Sequence, residues 1–280
     1  MLNGAATLGA ALDCLIGQTE RDIEIIISDN ASTDGTAAVC QEYAARDSRI
    51  RYFRQPKTVN ATKNFKFVLA QARAPYFMWA AHDDTRDPDF VERLLAALEK
   101  RPDAVLAFGD IVRIVKGQAL AHPLDFVNTG RAPWRRLHWS AVSELHHLYG
   151  LWRTEVPRSI HWEHCYWWHD TPLMMAAALA GDFVHVPGVH FRYKVNLRPF
   201  FGWKRRPGPA GLWVDVSEFL KRAGSVAYLI PLSAVTVGRS AGAGYGLLAG
   251  LFALVKVVEQ VAGYLWRRAW RGADASAERA

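Results

Sequence analysis

The chain is poor in cysteine, has no apolar run long enough to span a bilayer, and lacks a glycine-rich loop followed by a basic residue near its start. Its three cysteines are Cys14, Cys40 and Cys165. Scattered and odd in number, they exclude a disulfide framework and the paired spacing of a structural zinc site, and they point to a reducing compartment. The first residues already read as a helix, so no signal segment is expected ahead of it. The two most apolar stretches, Ala223 to Gly238 and Ser240 to Val255, are parted by Arg239. Each is about 16 residues, short of the roughly 20 that span a bilayer. They fit a docked core helix, or an interfacial helix or shallow hairpin, better than a true span.

What is present suits a folded enzyme. The 280 residues are 50% hydrophobic and 22% charged, which excludes a disordered chain. That length supports one domain with an appendage. The formal charge of +7, with 11 Trp and 10 His, leaves three partner classes open. These are nucleic acid, an anionic membrane surface, and phosphorylated or sugar substrates.

Strand-like and helix-like segments alternate through residue 115. Leu8, Leu12, Leu15 and Ile16 recur at helical spacing. A buried strand follows at Ile23 to Ser28, then a helix capped by Ser32 or Thr33 and running to about Arg46. Ile50 to Phe53 reads as a short strand, and Asn60 precedes a helix with Phe65, Val68, Leu69 and Ala72 on its apolar face. Tyr76 to Ala81 reads as the next buried strand, and Asp87 as the cap of a helix with Pro88 at its first position. Ala104 to Val115 is another strand. The alternation predicts an α/β fold with a doubly wound, mainly parallel sheet. From Ala119 to His169 regularity falls and aromatic, His and Arg residues accumulate. Thr171-Pro172 then opens a helix to about Ala180, and Phe183 to Val186 is a short strand.

Two strand ends carry the chemistry. The run Ile25-Ile26-Ile27 stops at Ser28-Asp29-Asn30-Ala31-Ser32, and ligands of open α/β sheets bind at such carboxyl ends. With Ser32 and Thr33 serving as caps, Asp29 is left to accept hydrogen bonds from a base or a ribose; the competing reading is a turn residue. The second strand end is His82-Asp83-Asp84. Adjacent carboxylates there suit a divalent metal that neutralises a diphosphate leaving group; the competing reading is a solvated loop. Together they suggest a metal-assisted enzyme acting on a nucleotide diphosphate.

Residues 3 to about 196 resemble a family 2 glycosyltransferase of the GT-A fold. The resemblance rests on Asp22-Ile23-Glu24-Ile25-Ile26-Ile27-Ser28-Asp29-Asn30-Ala31-Ser32-Thr33-Asp34-Gly35-Thr36, on Asn60 to Asn64, and on Tyr76 to Asp84. It implies a nucleotide-sugar donor, with a UDP- or dTDP-sugar as first choice, a Mg²⁺ or Mn²⁺ ion, and transfer with inversion. Asp29 then contacts the donor base, and Asn30, Ser32, Asn60 and Asn64 join it in donor binding. Asp83 matches the metal-binding member of the DxD motif, with Asp84 as a second ligand. Inversion needs a carboxylate to take the acceptor proton. Asp170, just ahead of the Thr171-Pro172 helix start, is the candidate. The positive helix end would lower its basicity.

Trp152 and Arg153 are candidate acceptor contacts, and Trp162, Trp167 and Trp168 could stack on sugars or brace a lid. His146, His147, His161, His164 and His169 show no ligand pattern and read as surface or structural. Lys204-Arg205-Arg206 beside Trp203 suits an anionic surface or a solvated run.

Three departures stand out. The family opens with a buried strand, but here Met1 sits where its following loop should end, with Asn3-Gly4 matching the last residues. The true start is therefore expected upstream, or the chain is a damaged copy. Ala81 occupies the first acidic position of the DxD motif, and Tyr193-Lys194-Val195-Asn196 replaces a pattern that often ends in His. No Gln-x-x-Arg-Trp motif of processive synthases is present, which favours transfer of one sugar.

The expected layout is a GT-A domain over 1–199, with a nucleotide-sugar half at 1–115 and an acceptor half at 116–199. A basic linker at 200–222, an apolar helical segment at 223–271 and a frayed tail at 272–280 follow. The expected acceptor is a saccharide or lipid-linked cell-envelope or polysaccharide intermediate. The expected place is the cytoplasm, with peripheral contact at the inner membrane face and no nucleic acid. The alternative is a nucleotide-sugar-binding pseudoenzyme or a truncated copy.

Overall fold

The computed structural model describes residues 1–115, 117–121, 132, 146–162, 170–194, 234, 237–239, 241–251 and 254. Its first unit is a βα layer. Helix α1 (Ala5–Ile16) precedes strand β1 (Ile25–Asp29), helix α2 (Thr36–Arg46), strand β2 (Ile50–Arg54) and helix α3 (Ala61–Gln71). β1 and β2 pair in parallel, Ile25 opposite Ile50 through Asp29 opposite Arg54. Leu8 and Leu12 of α1 and Cys40 and Tyr43 of α2 pack on Ile25, Ile27 and Ile50, burying the helical stripe read from the sequence.

A second sheet carries the rest. It holds β3 (Tyr76–Phe77), β4 (Thr85–Arg86), β5 (Ala104–Val115), β6 (Gln118–Ala121), β7 (Leu151–Arg153) and β8 (Asp182–Lys194), in the order β3-β7-β5-β8-β4 with β6 on β5. Helix α4 (Phe90–Lys100) covers one face, through Phe90, Leu94 and Leu98 on Ala104, Ala107 and Ile111. Short helix α5 (Glu155–Ser159) and helix α6 (Asp170–Ala180) cover the other. The α/β reading holds, and the sheet is mixed. β5 and β8 run parallel, while β3–β7, β5–β7, β5–β6 and β4–β8 are antiparallel. The β5–β8 ladder shifts register between Gly109 and Asp110, opposite a bulge in which Gly188 takes φ 72°, a conformation that favours glycine.

Several local expectations need correction. The strand read over Tyr76 to Ala81 is paired only at Tyr76–Phe77, because among the described residues no strand pairs with Met78 to Ala81. α4 begins at Phe90, with no side-chain cap. Asp87 instead holds β8, accepting from the His190 N–H and pairing with His190 Nδ1 at 2.7 Å and with Arg192. α2 begins at Thr36 and is capped by neither Ser32 nor Thr33; Asp34 accepts from the Thr36 N–H. The strand read at Phe183 to Val186 extends to Lys194. The irregular region contributes β6, a 3₁₀ turn at His146–Tyr149, β7 and α5.

Of the apolar C-terminal segment, the described residues are helical except at Gly242, where φ is 100°. Val237 and Ala249 are buried against the main core. No described helix is long and apolar enough to cross a membrane. The linker at 200–222, its Trp203 to Arg206 patch and the tail at 272–280 lie outside the described residues, as do Cys165, His164, Trp167, Trp168 and His169.

Candidate active site

The loop after β1 is built from its own polar side chains. Asp29 is fully buried. One carboxylate oxygen accepts from the Ser32 N–H at 2.8 Å and the other from the Tyr52 hydroxyl at 3.2 Å. The Asx-type turn weighed for Asp29 is thus formed, and Asp29 is not left free. Ala31 sits at φ 59°, a left-handed conformation uncommon for residues other than glycine. Asn30 binds Val59 through both ends of its amide. Ser32 Oγ accepts from the Asn3 N–H. Asn60 caps α3 by accepting from the Lys63 N–H at 2.8 Å. Asn64, on α3, accepts from the Ser28 hydroxyl at 2.7 Å.

The second cluster lies on the loop between β3 and β4. Asp83 is partly exposed, its side chain 26% accessible, with His82 Nδ1 3.7 Å away. Asp84 is turned inward and is only 6% exposed. Burial, and then the Asp83 charge, push its carboxyl up to about 7 against the pull of Arg86 and Lys194. Of the two carboxylates expected to share a metal, Asp83 is the one open to solvent and Asp84 the one turned inward. Beside Asp84 the buried Arg86 guanidinium donates to the Trp79 carbonyl and lies over the Phe90 and Phe191 rings. Burial lowers its pKa, and the Asp84 charge opposes that.

Tyr149 joins Asp170 to this cluster. Its phenol is pushed well up, first by burial and then by the charges of Asp84, Asp170 and Asp83. All three carboxylates are thus within electrostatic reach of Tyr149. Asp170 is the first residue of α6, where one oxygen accepts from the Thr171 N–H at 2.9 Å. It lies inside the helix's first turn, not one residue outside it. The two clusters meet at Gly4, whose missing Cβ would lie 2.4 Å from the His82 ring.

Trp152 and Arg153 are corrected. Trp152 has no exposed surface and donates to the Leu148 carbonyl at 2.9 Å. Its ring packs edge-on against Trp79, which also meets Phe77 and Trp162. Arg153 donates to the carbonyls of Ala104 and Leu98 at 2.9 Å and of Arg101 at 3.3 Å, tying off the end of α4. Trp152 is therefore part of the core, and the partly exposed Arg153 is tied to backbone carbonyls. Trp162 is likewise buried core. Among the described histidines His147 is buried and His146 stacks on Tyr193. No group of three or more metal-ligating side chains occurs among the described residues. Tyr149, Arg86 and the Gly4–His82 contact were not foreseen, because no spacing rule marks a lone Tyr, Arg or Gly.

Comparison with known proteins places the chain. The family model for glycosyl transferase family 2 matches residues 1–147, more than half of the chain, and the chain belongs to that family. A Mycobacterium tuberculosis protein of uncharacterised function is 36% identical over 101 residues, covering 35% of this chain and 29% of its own length. The Bacillus subtilis protein EpsE is 30% identical over 99 residues, covering 35% of this chain and 36% of EpsE. EpsH of the same organism is 26% identical over 163 residues, covering 52% and 47%. The matches thus span less than half the length of these relatives. Among solved structures, S. aureus TarS 1-349 in complex with UDP-GlcNAc aligns with TM-score 0.64 at 14% identity, over 90% of this chain and 69% of that one. The mannosyltransferase PcManGT from Pyrobaculum calidifontis, in complex with GDP-Man and Mn2+, aligns with TM-score 0.56 at 15% identity, over 96% and 77%. The shared fold is that of GT-A glycosyltransferases.

Proposed function

We propose that this chain is an inverting, metal-dependent glycosyltransferase that moves one sugar from a nucleotide-diphosphate donor to a saccharide or lipid-linked acceptor of the cell envelope. One observation carries the reading. The partly exposed Asp83 follows His82, the His82 ring lies against Gly4, and the neighbouring Asn3 N–H donates to Ser32 of the Asp29 loop, so the acidic loop and the Asp29 loop adjoin. The neighbours' UDP-GlcNAc and GDP-Man ligands support a nucleotide-sugar donor, and UDP- or dTDP-sugars are the first donors to try.

Asp83 fits a divalent ion, because Mg²⁺ and Mn²⁺ sites use one or two carboxylates completed by substrate phosphates and water. Mn2+ beside GDP-Man in PcManGT is consistent with this. The bound ion would neutralise charge growing on the departing diphosphate. Asp170 takes the proton of the acceptor hydroxyl as that oxygen attacks the anomeric carbon opposite the leaving group. The Asp29 loop holds the base and ribose, with Asn30, Ser32, Asn60 and Asn64 keeping its shape.

Peripheral membrane contact is supported by Leu247, Leu251 and Leu254, which are 73%, 58% and 43% exposed at a spacing that puts them on one helical stripe. Liposome co-sedimentation of the parent, lost in Leu247→Ser with Leu251→Ser, is the expected result. A parent that stays in the supernatant would rule the contact out. Donor binding without transfer is a second reading, favoured by Ala81 at the first acidic motif position.

Calorimetric titration of UDP, dTDP and GDP with and without Mn²⁺ tests the main reading. Mn²⁺-dependent binding that vanishes in Asp83→Ala is expected. Asp170→Asn should keep donor affinity and lose transfer by about 100-fold or more. Equal transfer by Asp170→Asn would remove it from the mechanism. A folded parent that binds no nucleotide would sink the whole assignment.

A further inference from the structure

One buried cation closes the foot of the acidic loop. The chain between Trp79 and Arg86 carries His82, Asp83 and Asp84. Its two ends meet through the Arg86 side chain, whose Nη2 donates to the Trp79 carbonyl at 3.0 Å in a buried bond. Among the described residues no strand pairs with Met78 to Ala81, so the guanidinium stands in for a ladder partner there. The guanidinium is itself held in place. Its carbon lies 5.1 Å from the Phe191 ring centre and 5.8 Å from that of Phe90, within cation–π reach of both. The backbone beneath it is fixed from two sides. Arg86 pairs with Phe191 of β8. On the α1 side, the Cys14 sulfur accepts from the Arg86 N–H at 3.0 Å and lies 3.2 Å from its carbonyl, to which the thiol donates.

Filling space does not account for this arginine. It is 5% exposed, and its Nε is buried with no hydrogen-bond partner. A buried charge with an idle donor is costly, and an apolar side chain of similar volume is often as stable or more so. A charge set between two rings at the foot of the acidic loop therefore points to a task at that loop. Its field also draws the inward Asp84 carboxyl down, against the effect of burial, which favours two ionised acids side by side.

We propose that Arg86 is a positioning residue of the site: its guanidinium pins the foot of the acidic loop, so that the Asp83 carboxylate is held in one place for the ion. This rests on the reading of Asp83 as the ion's ligand. Arg86 acts through the loop and not on the reacting atoms. Groups that orient a metal ligand in this way alter metal affinity by about 10- to 100-fold when removed. Lysine is an incomplete substitute. Its ammonium keeps the charge but lacks the planar fork that stacks on rings while donating in its own plane to a carbonyl.

Arg86→Met and Arg86→Lys test it. Backbone amide relaxation measured by NMR reports the loop. Mn²⁺ titration beside UDP, dTDP or GDP, followed by electron paramagnetic resonance, reports the ion. In Arg86→Met the order parameters of His82 and Asp83 should fall from about 0.85 to below about 0.6, and Mn²⁺ affinity should fall by about 10-fold or more. Tm should stay within about 4 °C of the parent, because the lost bond to Trp79 is offset by no longer burying a charge. Arg86→Lys should fall between the parent and Arg86→Met in both readouts, and it carries the test if Arg86→Met does not fold. A loop as rigid as the parent's in the folded variants overturns the proposal. So does a loosened loop that binds Mn²⁺ as tightly as the parent. A parent that binds no Mn²⁺ with any of the three nucleotides fails the Asp83 reading instead, and the order parameters alone then decide whether Arg86 pins the loop.

Discussion

Asn30 grips Val59 with both ends of its side-chain amide, donating to the Val59 carbonyl and accepting from the Val59 N–H, each at 2.8 Å. The loop after β1 is thereby fixed to the segment that starts α3, and Asn60 is delivered next to the Asp29 turn. Asn30→Ala leaves both Val59 groups unpaired and should cost about 2 kcal/mol of stability, read from urea unfolding. Nucleotide affinity should fall with it, because the loop loses its anchor.

Trp152 and Arg153 should behave as framework. Trp152→Ala empties a fully buried site and should cost about 3–5 kcal/mol. Arg153→Met frees the carbonyls of Leu98, Arg101 and Ala104 and should cost about 2 kcal/mol. In either variant the folded fraction should keep the parent's KM for acceptor. A raised KM at full stability would restore the acceptor role.

Asp87 predicts a pH dependence. Burial alone would raise its carboxyl, but hydrogen bonds from Arg192 and His190 outweigh that and hold it below its ordinary 3.8. A depressed carboxyl adds stability that is full above the unfolded value and is lost as pH falls through the folded one. Asp87→Asn should therefore lower Tm at about pH 7, with the gap to the parent closing at about pH 3. A gap of equal size at both would show that the clamp owes nothing to charge.

Cys40 should resist alkylation. Its thiol is buried, and burial followed by the Asp29 charge pushes it up to about 11, leaving almost no thiolate to react. Iodoacetamide at about pH 8, followed by peptide mass spectrometry, should leave Cys40 unmodified until the chain is unfolded. Rapid labelling in the native state would mean that the α1–α2 layer opens.

Gly4 sets where His82 sits. Gly4→Ala places a methyl group where the His82 ring now lies, so the ring must swing away. Stability should change little, since a partly exposed ring can move. Mn²⁺-dependent nucleotide affinity should drop several-fold if His82 and Asp83 act together, and unchanged affinity would show that Asp83 works alone.

Much of the site was legible because it follows local rules. Apolar runs ending in polar segments marked the end of β1 that holds Asp29 and the loop after β3 that holds Asp83, and the proline at Pro172 marked the helix start beside Asp170. Trp152 and Arg153 were misread because an aromatic and a basic residue look alike in sequence whether they line a cleft or close a core. Burial separates the two, and burial depends on partners such as Trp79 and Leu98, many residues away.

From its sequence alone this chain determined the βα alternation, the family-type loop at Asp29 and the acidic pair at Asp83-Asp84, since these depend on spacing and composition. Only the tertiary structure decided which of the two acids faces solvent, that Trp152 closes the core, and that Gly4 lies against His82. Each of these depends on which surfaces meet after folding, and contacts between distant segments leave no periodic trace in the chain.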